Sequence, residues 1–167
     1  MPVSSAEPKN YTVAQKALHW IVAIMIIAQV VLHEGMVDAW RTFERTADVS
    51  GLSSPVVLLH VWGGLLVLVF AMWRLALRRR RGVPPVPADE PALLKFIAMA
   101  THVVLYGLMI LLPASGAAAY FGGIEAAGEA HELMKPVLIV LIGLHVAGAL
   151  YQHFWLKTDV LKRMTHG

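Results

Sequence analysis

Cysteine is absent from this 167-residue chain, so disulfides, thiolate metal ligands and iron–sulfur clusters held by its own side chains are excluded. Charge is scarce as well: charged residues make up 15% of the chain and hydrophobic residues 57%. A soluble domain of this size could not keep so much aliphatic surface from water, whereas a bundle of membrane helices has no need to. A long polar run is also missing, so no extramembrane domain is expected. The polar, twice-proline start lacks a short apolar run followed by small residues, so no removable signal peptide is expected either. What the chain has in quantity is imidazole and thioether, with eight His and eight Met.

Four apolar stretches each reach the roughly 20 residues needed to span a bilayer. Thr12 and Gln15 fit a capping box, and the first helix is predicted over about 13–34. Residues 35–54 read as a loop with a short amphipathic turn at 39–47. Pro55 opens a second helix over about 55–77, which runs into Arg78–Arg81 and a stiff proline-rich connector. The third is predicted over 92–121 with a kink at Pro113, and the fourth over 131–156 after the loop GGIEAAGEA. The expected fold is an all-α, four-helix membrane bundle forming a single transmembrane domain.

The tail, the 78–91 connector, the adjoining helix ends and the C-terminus hold eleven cations against four acids, Glu7 and Asp89 among them. The opposite side holds three cations against seven acids, giving +7 and −4. The positive-inside rule then places both termini and the arginine run of this multi-pass chain in the cytoplasm. The arginine run is a topology determinant in contact with lipid headgroups, and Trp20, Trp40, Trp62, Trp73 and Trp155 fit an aromatic belt. No nucleic acid partner is expected.

The last segment contains HELMKPVLIVLIGLH, with His131 and His145 at its ends. Fourteen helical residues turn through about 1400° and rise roughly 21 Å, so both imidazoles lie on one side at two depths. Ionisable side chains at depth normally have a partner or a function. Antiparallel packing brings His19 to the depth of His145 and His60 to that of His131. Each couple is a bis-imidazole site suited to an electron-transferring b-type haem, with no axial position left for oxygen. Gly63 and Gly64 near His60, and Gly143 and Gly148 flanking His145, would let a flat macrocycle lie close to the backbone. Depth alone leaves His33 competing with His60, and His102 with His19 or His145. Arg74 is within reach of an inner propionate, or else snorkels to the interface. Zinc fits less well, because a four-ligand site needs its ligands at one depth. Hydrogen bonds across helices are the remaining reading.

The stretches LHW, HVWGGLLVLV with Arg74 beyond it, THVVLYGLMILLPASG and the segment from His131 to Met164 resemble the bacterial cytochrome b-561 family over about residues 11–167. That resemblance implies two haems b, ligated by His19 with His145 and by His60 with His131. It removes His33 from the outer site and leaves His102 to bond a ligand or a propionate. It also implies electron exchange with ubiquinone, with superoxide as the donor in the superoxide oxidase type. Where that type has paired histidines after the last ligand, this chain has Gln152 and His153, so only His153 carries over as a quinone contact. An acidic outer face suits an anion poorly. Arg41, Arg45 and Lys135 could form a local basic entrance. Otherwise the face suits a small soluble cationic electron carrier, and the chain would be a non-catalytic haem b subunit for such a partner or a dehydrogenase.

Overall fold

The computed structural model describes residue 8 and residues 10–48, 50–87 and 90–166. Glu7, Lys9 and Asp89, counted in the charge balance, lie outside the described residues. Four long helices carry the apolar stretches: α1 (Val13–Val31), α3 (Pro55–Arg81), α4 (Ala92–Gly122) and α5 (Glu125–Phe154). All four are long and apolar enough to cross a membrane. Two shorter helices complete the fold, α2 (His33–Thr46) and α6 (Val160–Thr165), and no strand occurs among the described residues. The chain is an all-α membrane protein.

The predicted capping box forms. Gln15 N–H donates to Thr12 Oγ1 at 3.2 Å and Thr12 N–H donates to Gln15 Oε1 at 2.9 Å, so two otherwise free helix donors are satisfied. The same Gln15 amide donates to Gly82 O at 2.9 Å, tying the start of α1 to the end of α3. Gly82 has φ 71°, a conformation glycine adopts at little cost, and it ends the arginine-rich last turn of α3. Four cations there complement the negative helix end. This carries α3 four residues beyond the predicted stop.

Three boundaries differ from expectation for local reasons. The first helix stops at Val31, and residues 33–46 form a second helix where a loop with one short turn was expected. Its period is amphipathic: Glu34, Asp38, Arg41 and Arg45 are exposed, while Met36, Val37, Trp40 and Phe43 are half-buried. Gly35 lets it approach α3, because a Cβ there would lie 2.6 Å from Val56 Cγ1. At the other end Gly123, with φ 62°, caps α4, and α5 starts at Glu125, six residues before the predicted start. The segment EAAGEA is rich in helix formers and places Glu125 in the first turn, where its charge is favourable. Pro113 and Pro136 lie inside α4 and α5, and both helices run on through them.

α1 packs on α3, α3 on α4, and α4 on α5, whereas α5 does not pack closely on α1 or α3. Val22, Val67, Ala71 and Met109 form the buried core between α1, α3 and α4. No residue of α5 is buried. The face bearing the chain ends is laced by side chains. Arg163 donates to Pro85 O at 2.8 Å, and Trp20 Nε1 donates to Met164 O at 3.2 Å. On the opposite, loop-bearing face, Tyr120 donates to Leu52 O at 2.9 Å.

Candidate functional site

α5 carries His131 near the loop face and His145 toward the terminal face, and each ring meets one from a helix that α5 does not pack against. His145 faces His19 of α1 with ring centroids 6.1 Å apart, and His131 faces His60 of α3 at 6.3 Å. An imidazole nitrogen reaches a transition metal at about 2.0–2.1 Å, so two rings ligating one metal from opposite sides hold their centroids roughly 6.3 Å apart. Both pairs match that spacing. No group of three or more His, Asp or Glu suited to a metal occurs among the described residues.

Each pair has a distinct setting. His131 Nδ1–H donates to Leu112 O at 2.8 Å, which leaves Nε2 free to ligate, the arrangement that fixes the tautomer of metal-binding histidines. The ring reaches that carbonyl by lying over Gly116, where a Cβ would be 3.0 Å from its Cε1 and Nδ1. His60 has a buried Nδ1 with no hydrogen-bond partner among the described residues. Between the two rings opens a cavity of about 250 Å³, also lined by His33, Gln29, Gly64 and Lys135. Lys135 Nζ donates to His33 Nε2 at 2.6 Å and to Glu132 Oε2 at 2.5 Å. His33 is thus engaged at the mouth of the cavity and does not pair with His131.

At the other level His102 packs edge-on to His145, centroids 5.0 Å apart, and donates from Nδ1 to Ala98 O at 2.6 Å. Arg74 donates to His19 Nδ1 at 3.0 Å and lies 5.6 Å from the centre of the Tyr106 ring. A Cβ at Gly143 or Gly148 would meet nothing within 4 Å, so the backbone beside His145 is open to a flat group. His153 lies apart from both pairs, near the chain's end. Its Nδ1 is buried without a partner, and the ring lines a second cavity with Leu161, Lys162, Thr165 and His166.

Gly116, the Leu112 carbonyl and Gln29 were not among the predicted site residues. Only Gln29 left a trace in the sequence, as a lone amide in the apolar run IIAQVV. A carbonyl contact and a missing side chain leave none.

Two imidazole pairs are thus stacked along one membrane helix, each spaced so that a single metal fits between its rings. The model of the family described as prokaryotic cytochrome b561 matches residues 10–167. The chain is 31% identical to cytochrome b562 of Cereibacter sphaeroides over 93% of its own length and 94% of that protein. It is 27% identical to the probable superoxide oxidase CybB of Yersinia pestis, over 93% and 96% of the two chains. Proteins of this family bind haem b, and this chain is a multi-pass membrane electron-transfer protein belonging to the prokaryotic cytochrome b561 family.

Proposed function

We propose that the chain is a di-haem b electron conduit of the bacterial inner membrane, oxidising superoxide at its periplasmic face and reducing ubiquinone. The observation that carries this reading is the double spacing of 6.1 and 6.3 Å between imidazoles, each pair joining α5 to a helix it does not otherwise pack on. A haem b held at each level by the two imidazoles would supply a one-electron carrier with no position left for oxygen.

The protein's own part is to hold, orient and charge-balance. His60 and His131 serve the level at the loop face, His19 and His145 the level at the terminal face. The charge asymmetry of the sequence supports a cytoplasmic terminal face. Arg74 and His102 stand beside the inner pair, where a carboxylate would be held by the guanidinium. His153, half-buried with an unpartnered Nδ1 among the described residues, is the candidate to bond a quinone carbonyl and move a proton to it. The balance requires two superoxide anions, released as two dioxygen molecules, for each quinone that takes two electrons and two protons.

Lys135 is a cation lining the outer cavity, where it is ion-paired with Glu132, and it supports superoxide as the donor despite the acidic face around it. That acidity favours a second reading, in which a small cationic protein docks at the same face and the chain is a non-catalytic haem b subunit.

A pyridine haemochrome assay on purified protein is expected to give two haems b per chain; one or none overturns the reading. With that settled, a superoxide flux should accelerate ubiquinone reduction beyond the rate left after dismutation is controlled. A rate equal to the control removes superoxide and leaves the protein-docking reading.

A further inference from the structure

The outer cavity contains two buried polar atoms without partners, and they are complementary. His60 Nδ1 is a donor in the tautomer that leaves Nε2 for ligation, and Gln29 Oε1 is an acceptor. Both are buried and neither is hydrogen-bonded among the described residues, although both residues line the same cavity. Leaving such groups unpaired in a membrane interior is costly. An amide among aliphatic residues on a membrane helix therefore needs a partner. Its surroundings narrow the choice. The Gln29 carboxamide lies against Gly63, in the space a Cβ of that residue would occupy, and Gly63 is one helical turn from His60 on α3. Gly63 thus keeps a slot open on the histidine's own helix, and the amide of α1 fills it. The other three histidines of the two pairs are arranged differently: His131 donates to a backbone carbonyl, His19 faces a guanidinium, and His145 has the His102 ring edge-on beside it.

We propose that Gln29 is the positioning residue for His60, its carboxamide oxygen accepting the Nδ1–H bond so that Nε2 points into the cavity as a ligand. The two groups are not bonded in this structure. The inference rests on the proposed ligation at His60, and it gives the outer pair one backbone acceptor at His131 and one side-chain acceptor at His60. A side-chain acceptor can be tuned by substitution, which makes the idea testable.

The full-length protein in detergent serves for the test, with Gln29→Leu and Gln29→Glu compared with wild type. The readouts are haem content, the midpoint potential of each haem, and the low-spin electron paramagnetic resonance signal. Gln29→Leu removes the acceptor and is expected to weaken retention of one haem by roughly 10–100-fold, the usual cost of losing such a partner, with the other haem unchanged. Gln29→Glu provides a stronger acceptor, makes the imidazole a better donor to iron, and is expected to retain the haem with a lower potential and a shifted resonance signal. If wild type binds two haems and both variants keep its potentials and resonance signal, the inference is overturned and the di-haem reading stands. A wild type lacking the outer haem overturns both. Should Gln29→Leu fail to fold, the Gln29→Glu shift alone decides.

Discussion

Arg74 donates to His19 Nδ1 at 3.0 Å, and this bond is incompatible with His19 acting as a ligand through Nε2. A neutral imidazole that accepts at Nδ1 carries its proton on Nε2. For His19 to ligate, Arg74 must turn away, and an anionic group beside the ring gives it somewhere to go. Arg74→Gln is therefore expected to weaken retention of the inner haem about tenfold, in the range seen when a metal site's outer partners are lost. It should also lower that haem's potential, because removing a nearby cation favours the oxidised, more positive form. Spectroelectrochemical titration of the two haems checks this, with the outer one expected to stay put.

Removing one ligand at a time separates the two levels. His60→Ala and His145→Ala are each expected to lose one haem of two, whereas His33→Ala should keep both, since His33 is engaged with Lys135. Haem-to-protein ratios decide, and retention of both haems in either ligand variant would refute the pairing.

Gly116→Ala tests how His131 is seated. A Cβ at 3.0 Å from the ring pushes it from the Leu112 carbonyl, so the outer haem should be lost or its spectrum altered. Gly128→Ala is the control. Its Cβ would meet only Ala119 Cβ at an ordinary 3.6 Å, and an alanine inside a helix is worth roughly 0.5–1 kcal/mol over glycine. Thermal unfolding should show the second variant slightly stabilised.

Lys135 distinguishes the two donors. With superoxide as the substrate, Lys135→Met should slow quinone reduction roughly tenfold and flatten its dependence on salt, since local positive charge steers anions. With a cationic protein as the donor, the same change should leave the rate unchanged or raise it. Initial rates across a salt series give the answer.

The short helix α6 offers a prediction in pH. A hydrogen bond from Arg163, before any other influence, holds the Asp159 carboxyl below the usual carboxylate range. A lowered folded value means that the contribution is present above the unfolded value of about 3.9 and is lost as pH falls through the folded one. Limited proteolysis of the C-terminus should therefore increase below about pH 4. Arg163→Ala, which also loses the bond to Pro85 O, should be cut readily at neutral pH too.

The four spans and the two histidine levels were legible because both depend on spacing along one helix, and a period survives translation into structure. The 131–145 interval is such a case: two rings on one side of α5 follow from 3.6 residues per turn. What was not legible depends on the partner across a gap. That His131 bonds Leu112 O, that Gly116 clears its path, and that Arg74 faces His19 are facts of tertiary packing with no period to betray them. Helix α2 differs in extent: an amphipathic turn is readable at 39–47, but the helix begins at His33, where Gly35 seats it against α3. The start of α5 at Glu125 rather than 131 has a local cause, since Gly123, with φ 62°, caps α4 and the next helix begins two residues later.

α5 packs closely on α4, and its histidines meet rings carried by α1 and α3. It also follows the other three spans in the chain. Without it His19 and His60 lack the rings they face, so the fourth span closes the bundle like a clasp, and each imidazole it brings completes a grip begun by an earlier part of the chain.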